Sequence, residues 1–278
     1  MPTQYDIDKM LTYFKINGYV VFEDFTTPQK ADRIRDAHEQ LLDKWLEYDH
    51  LEALPGGQVD RLHRYGIQWP WMMPFNDPEI IEHPALMEFL DRLWGTDDYL
   101  LSGIACDTSM PGSGYQNWHR DTALTFDPPY PSQYSPPRVV GARLALFDID
   151  EVNGSTEVIP CTEFLPHPTT SSQHFDAEML EQAGVPARRV DLKKDSMLVK
   201  GPRTLHRGTP NRSTKPRPYP TNTYHTREFV HNRHVEVTQS DYNRLSERGK
   251  RLLANCRVVD AVGSTPRPFS DTDPAMGR

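Results

Sequence analysis

His119 and Asp121 stand two residues apart in the stretch Gln116-Asn117-Trp118-His119-Arg120-Asp121. In an extended segment side chains alternate, so an imidazole and a carboxylate at this spacing leave on one face and can chelate a single metal ion. Two donors leave the metal's shell incomplete, and the chain has 11 histidines from which to draw a third. His38 falls in a helical pattern, His167 and His174 in a loop-like stretch, and His225, His231 and His234 in or just after a late strand. His206 is the better candidate. It ends the run Asp195-Ser196-Met197-Leu198-Val199-Lys200-Gly201-Pro202-Arg203-Thr204-Leu205-His206, which reads as strand, turn and second strand, and Arg217 follows it in Asn211-Arg212-Ser213-Thr214-Lys215-Pro216-Arg217. Two histidines and one carboxylate on one face of an octahedral ion leave three positions open, the arrangement suited to non-haem Fe(II) oxygenases. A guanidinium nearby can grip the far carboxylate of a dicarboxylate that chelates the iron from its other end. Two other classes use the same residues differently. A zinc hydrolase would take the same ligands with bound water as nucleophile and would have no use for Arg217. A non-catalytic jelly-roll binding module would tolerate the loss of Asp121.

The elements that must position these groups follow from periodicity. Ile7, Met10, Leu11 and Phe14 recur at helical spacing, with Gly18 as the stop, and Tyr19-Val20-Val21-Phe22 is a short strand. Thr27-Pro28 opens a second helix, Thr as cap and Pro in the first turn, whose face Ala31, Ile34, Leu41, Leu42 and Trp45 packs on a sheet. From Leu51 to Asn76 the pattern breaks into a loop crowded with Trp69, Trp71, Met72, Met73 and Phe75, which reads as the cover of a cavity mouth. A third helix follows Asp77-Pro78 and a restart at Pro84, carrying Leu86, Phe89, Leu90 and Trp94 up to Gly95.

After Gly95 short strand-like runs take over: Tyr99 to Ala105, Arg138 to Ile149, Ser155 to Ile159, Val190 to Val199 and Asn222 to Val230. Many short strands with few helices between them predict a sandwich, barrel or jelly roll, not a doubly wound sheet. Thr238 to Leu253 returns to a helical pattern, and the tail from Gly263 reads as loose. With no linker in view, residues 1–278 are expected to form one domain, with N-terminal helices over about 1–95, a β-core over about 96–235, and a C-terminal helix and tail. The class is mainly β with flanking helices.

A net charge of −8 without a basic run excludes a nucleic-acid footprint. Cys106, Cys161 and Cys256 form no Cys-x-x-Cys pair, so neither a disulfide framework nor a structural zinc site is expected. The polar start after Met1 lacks an apolar signal core and no run approaches a membrane span, so the expected compartment is the cytoplasm and no membrane partner is expected.

Several motifs together resemble the phytanoyl-CoA dioxygenase family of Fe(II)/2-oxoglutarate oxygenases. Phe14-Lys15-Ile16-Asn17-Gly18-Tyr19-Val20-Val21-Phe22 resembles its opening helix and strand. Pro111-Gly112 with Gln116 and His119-Arg120-Asp121 resembles its first metal motif. Asn153-Gly154-Ser155-Thr156-Glu157-Val158-Ile159-Pro160 resembles the strand before its long loop, and His206 with Arg217 resembles its distal motif. The resemblance implies a double-stranded β-helix, the cupin-like jelly roll, with Fe(II), 2-oxoglutarate and O2 as cofactor and cosubstrates. His119, Asp121 and His206 would be the ligands, Arg217 the partner of the 2-oxoglutarate C5 carboxylate, and no catalytic side chain is assigned beyond the ligands. Gln116 and Thr156 resemble cosubstrate contacts. Where many members carry Ser or Thr two residues after the distal histidine, this chain has Gly208, with Thr209 one further on as a substitute contact. Where the family often has Pro-Gly-Ser-His, this chain has Pro160-Cys161-Thr162-Glu163. Halogenating relatives replace the carboxylate ligand by a small residue, so Asp121 points to hydroxylation, desaturation or rearrangement. With nothing that looks like a CoA-phosphate cradle, the expected substrate is a small, polar metabolite or natural product. Arg64, Gln68, Trp69, Trp71 and Phe126 are the candidates for its pocket. Arg120, between the ligands, is expected to face away from them in a structural ion pair.

Overall fold

Strand parity organises this molecule. The computed structural model describes residues 4–47, 63–121, 137–163, 182, 184, 186–229, 235–262 and 267–268. Helix α1 (Ile7–Asn17) is opened by Asp6, whose carboxylate accepts from Lys9 N–H, and ends at Gly18 in the left-handed conformation, φ 80°. Strand β1 (Tyr19–Phe22) follows, then α2 (Pro28–Glu47), whose first turn is capped by Thr27 Oγ1 accepting from Lys30 N–H at 3.3 Å. Next come β2 (Arg64–Gln68), α3 (Pro78–Ile81) and α4 (Pro84–Trp94), the last closed by Gly95 at φ 70°. The predicted caps and helix faces are those observed.

The strands are β3 (Tyr99–Ser109), β4 (Val139–Leu144), β5 (Thr156–Val158), β6 (Arg188–Val190), β7 (Met197–Lys200), β8 (His206–Arg207) and β9 (Arg217–Thr226). After them come β10 (Glu236–Thr238), α5 (Gln239–Arg244), α6 (Glu247–Leu252), β11 (Arg257–Val259) and β12 (Arg267–Pro268). Seven strands build a large antiparallel sheet in the order β1-β7-β4-β9-β3-β2-β12, and β6-β5-β8 form a second, small antiparallel one. The architecture is mostly antiparallel β with helices on one side. No helix among the described residues is long and apolar enough to cross a membrane.

Three expectations change. The helical first third contributes β1 and β2 to the large sheet, so Arg64–Gln68 is a strand where a loop was expected. Arg267–Pro268, in the tail expected to be loose, pairs with β2. Val190 to Val199 is not one strand but β6, an Ile149–Leu192 bridge and β7.

Each face of the large sheet has its own job. Tyr65, Ile67, Ile104, Cys106, Val140, Ala142, Met197, Val199 and Tyr224 point to the helices and share one apolar core with Phe14, Ile34, Leu41, Trp45, Leu86 and Phe89. By alternation the other face carries Arg64, Gln68, Asp107, Ser109, Arg143, Lys200, Arg217, Tyr219 and Thr221. That face looks at the small sheet. Leu198 and Tyr219 from one side meet Val158 and Val190 from the other in a second apolar cluster. Burying each of these side chains stabilises by roughly 1.5–3 kcal/mol, which holds the sheets together around a polar remainder.

Candidate metal and anion site

His119, in an irregular segment, forms a single antiparallel bridge with His206, the first residue of β8. Asp121 N–H donates to Pro202 O at 2.9 Å, which anchors the end of the same stretch. The stretch is therefore extended but not a ladder strand, and its side chains still alternate. His119 and Asp121 face inward. Arg120 turns away, is fully buried and donates from Nη2 to Thr162 O at 2.8 Å. The segment before His206 is fixed from two sides. The glycine at 18 lets α1 end directly against Thr204, whose Oγ1 donates to Gly18 O at 3.1 Å, and a Cβ at Gly18 would lie 1.9 Å from that oxygen. Glu163, 1% exposed, accepts from Arg203 Nε at 2.9 Å, and its Oε2 lies 2.7 Å from Thr204 Oγ1, whose one hydrogen is shared between this carboxylate and Gly18 O.

His119, Asp121 and His206 each present a donor atom within 4.8 Å of the others. His206 Nε2 is 3.2 Å and His119 Nε2 3.7 Å from Asp121 Oδ1. Each imidazole is oriented by its own backbone: His119 Nδ1–H donates to Asn117 O at 2.8 Å and His206 Nδ1–H to Thr204 O at 2.9 Å. A carbonyl can only accept, so the tautomer these contacts select carries its hydrogen on Nδ1 and keeps the Nε2 lone pair for the centre, the outer-shell arrangement of ligating histidines. At His206 the shorter contact is the carbonyl, with Lys200 Nζ at 3.3 Å from the same Nδ1. Burial lowers His206 to about 3, which keeps it neutral. Burial alone would raise the Asp121 carboxyl, but the positive charges of Lys200 and Arg143 hold it well below the usual carboxylate range. Lys200 Nζ, on the inner face, donates to Asp121 Oδ2 at 2.7 Å. Two neutral imidazoles and one carboxylate suit a divalent first-row ion with open positions.

Beyond this triad lie the cations. Arg217 is 3% exposed, lies over the Tyr219 ring and donates from Nε to Asn153 O at 3.4 Å. Arg64, Ser109 and Arg217 share one row across β2, β3 and β9. Arg64 Nη2 donates to Gly114 O at 3.0 Å and Thr209 O at 2.5 Å. Neither arginine forms an ion pair among the described residues. Arg64 Nε, Tyr219 Oη and Thr221 Oγ1 are buried without a hydrogen-bond partner there. Such groups are costly to bury unless something answers them, and a chelating dicarboxylate reaching from the metal would do so.

The other sequence candidates separate by parity. Gln116 is half-buried at the site, with Oε1 accepting from Gly208 N–H at 2.9 Å. Thr156 is buried on β5, and continuing the β5–β8 register by one step sets it opposite Gly208. Thr209 is removed from the set, because it falls on the outer side, where its Oγ1 donates to Ser155 O at 2.7 Å and accepts from Arg189 at 3.2 Å. Trp69 and Trp71 also leave the pocket, since both belong to the helix-side core. Trp69 Nε1–H donates to His38 Nδ1 at 3.0 Å, and its ring packs on Phe75 at 4.5 Å. Gln68 lies on the inner face through its pairing with Ala105. Phe126, His167, His174, His231 and His234 lie outside the described residues. Reasoning from sequence missed Lys200 and Tyr219; Tyr219 stands two residues from Arg217 on the same strand and could have been found by alternation, whereas a turn separates Lys200 from His206.

The family model described as phytanoyl-CoA dioxygenase (PhyH) matches residues 14–219. The dioxygenase aneA of Aspergillus aculeatus is 29% identical over 219 residues, spanning 74% of this chain and 67% of that protein. Among solved structures, AviO1 from Streptomyces viridochromogenes has a TM-score of 0.56 at 15% identity, covering 81% of this chain and 97% of that one. The epimerase SnoN in complex with Fe3+, alpha ketoglutarate and nogalamycin RO has a TM-score of 0.55 at 17% identity, over 79% of this chain and 83% of SnoN. The non-haem alpha ketoglutarate dependent carbocyclase SnoK from nogalamycin biosynthesis has a TM-score of 0.61 at 17% identity, over 81% of this chain and 87% of SnoK. At these identities the structural likeness is one of fold.

Proposed function

The chain belongs to the phytanoyl-CoA dioxygenase family, and from that premise we propose that it is a non-haem Fe(II)/2-oxoglutarate-dependent oxygenase. Its reaction is hydroxylation of a C–H bond in a small, polar metabolite or natural product, with release of succinate and CO2. The observation that carries this reading is the convergence of His119, Asp121 and His206, with both Nε2 atoms freed by backbone-bound Nδ1–H groups. The facing sheets are read as the two halves of a double-stranded β-helix.

Bound Fe(II), with 2-oxoglutarate and O2, supplies the oxidising power for C–H cleavage. The residues position and exclude. His119, Asp121 and His206 hold one face of the ion. Arg217, held over Tyr219, binds the C5 carboxylate of 2-oxoglutarate, with Gln116 and Thr156 beside it. Arg143, Gln68 and Thr221 line the inner face with polar groups, which supports a polar substrate. The apolar cluster of Leu198, Val158 and Val190 keeps water from one side of the site. A zinc hydrolase would use the same triad but leaves the buried Arg217 unexplained. The names epimerase and carbocyclase on similar folds favour a variant in which the same hydrogen removal ends in stereochemical inversion or ring closure.

The test is a screen of polar metabolites for succinate release that requires Fe(II), 2-oxoglutarate, O2 and the metabolite together. Turnover by zinc-loaded protein without O2 would replace this reading with the hydrolase.

A further inference from the structure

Lys200 is the last residue of β7, paired with Tyr19 of β1 on one side and Gly141 of β4 on the other. It is 2% exposed, and a lysine is almost never so buried unless something answers its charge. The answer is Asp121. Nζ donates to Asp121 Oδ2 at 2.7 Å, with Gly201 O at 3.4 Å as a second, longer acceptor. The two carboxylate oxygens are therefore used differently. Oδ1 faces the imidazoles, 3.2 Å from His206 Nε2 and 3.7 Å from His119 Nε2, while Oδ2 is turned to the ammonium. One oxygen belongs to the metal position and the other to the lysine.

Charge balance does not explain this lysine. A divalent ion at Oδ1 would itself neutralise Asp121, and Arg143 already adds a positive charge on the same inner face. A further cation beside the ion's seat is costly to desolvate and repels the ion. What the ammonium adds is direction. A carboxylate can grip an ion through one oxygen or through both, and a donor fixed on one of them decides between the two modes. An ion that moved to share Oδ2 would have to approach Nζ, where a positive charge is already seated. The number of open positions depends on this choice. Two imidazoles and one oxygen leave three positions of an octahedron, whereas a carboxylate bound through both oxygens leaves two. A chelating keto acid takes two, so a third exists only if Asp121 binds through one oxygen.

Resting on the proposed oxygenase reading, we propose that Lys200 is a positioning residue that restricts Asp121 to a single metal-facing oxygen and so keeps the third position open. It acts through the carboxylate and not by contact with the metal.

The test counts the waters on Mn(II), an ion suited to octahedral sites, by the broadening of its EPR lines in isotopically labelled water and by proton relaxivity. The full wild-type chain should hold three waters on Mn(II), and one after addition of 2-oxoglutarate. Lys200→Met keeps most of the stem but loses the donor. It should hold two waters, with relaxivity lower by about a third, and none after 2-oxoglutarate. Lys200→Arg, which can still donate to Oδ2, should restore the count of three. A merely structural role would lower Mn(II) affinity or the melting temperature and leave the count unchanged. Three waters in Lys200→Met, or two in wild type, overturns the inference. If Lys200→Met does not fold, the carboxylate infrared bands of wild type decide. Their splitting should widen when the metal binds, as for binding through one oxygen, and a narrowed splitting overturns the inference. His206→Ala separates the two readings. Mn(II) held equally by wild type and His206→Ala sinks the oxygenase reading itself, whereas a wrong water count at an intact triad sinks only the role of Lys200.

Discussion

The backbones of His119 and His206 hydrogen-bond to each other in both directions, at 3.0 and 3.1 Å, so that their imidazoles stand side by side with centroids 4.4 Å apart. The metal face is therefore assembled where two segments 87 positions apart in the chain meet, the His119–His206 bridge being flanked by Asp121 N–H on Pro202 O and Gln116 N–H on Gly208 O. Asp121 follows from the first segment by alternation alone. A bound ion would add a further tie between the same two segments.

Removing a ligand should cost metal and activity together. His119→Ala and Asp121→Ala are expected to lose Fe(II) on dialysis and to lower substrate-coupled succinate release by about a hundredfold or more. Fe(II) should also raise the melting temperature of wild type and not of these variants, because it binds only the folded triad. Metal analysis and thermal scans check this, and full coupled activity in either variant would remove that residue from the ligand set.

Arg217→Met should raise the 2-oxoglutarate KM about tenfold or more and leave kcat at saturating cosubstrate largely intact, as expected for lost binding and not lost chemistry. Steady-state kinetics with varied 2-oxoglutarate decide it. An unchanged KM would mean that another residue holds the distal carboxylate.

His38 gives the fold a pH dependence. It is buried as a neutral ring that accepts from Trp69 at Nδ1 and donates from Nε2 to Thr108 Oγ1 at 2.8 Å, and burial lowers it from 6.5 to about 4. The unfolded chain then binds the proton more readily than the folded one between these values. Stability is full above pH 6.5 and falls as the pH drops toward 4, by about 3 kcal/mol in total from this group. Denaturant unfolding across this range should show the loss, and His38→Gln should flatten the slope. A slope unchanged in that variant would assign the effect elsewhere.

Glu163→Ala should destabilise by about 3–5 kcal/mol, since it breaks a buried ion pair with Arg203 and removes the carboxylate beside Thr204 Oγ1. The same substitution loosens Thr204, whose carbonyl orients His206, so Fe(II) affinity should fall with stability. Equilibrium unfolding and metal titration test the two parts. A loss below about 1 kcal/mol would show that the pair is not what fixes this turn.

Much of the site was legible because its rules are local. The His119–Asp121 spacing, the caps at Gly18, Thr27 and Gly95, and Arg217 after His206 all need only neighbouring residues. What was not legible depended on partners. In β2 the inward residues are Arg64, Gly66 and Gln68, so only Tyr65 and Ile67 give an apolar signal and the strand reads as loop. The start of β9 was hidden by Pro218 and Pro220, which argue against a central strand. They fit because β4 pairs with Thr221–His225 only, so the prolines fall where β9 has a partner on one side, β3. Trp69 and Trp71 looked like a cavity cover from aromatic density, whereas parity within β2 sends Trp69 to the helices. The choice between Gly208 and Thr209 was in fact readable by counting in twos from His206.

The order of the large sheet has a consequence for how this molecule meets other chains. Its longest strands, β3 with 11 residues and β9 with 10, sit inside, while the edges are β1 with four residues and β12 with two, one of them a proline lacking an N–H. Short, proline-bearing borders are poor templates for strand addition. Removing Arg267–Pro268 would bare β2, a longer border, and invite edge-to-edge association at the side that carries Arg64.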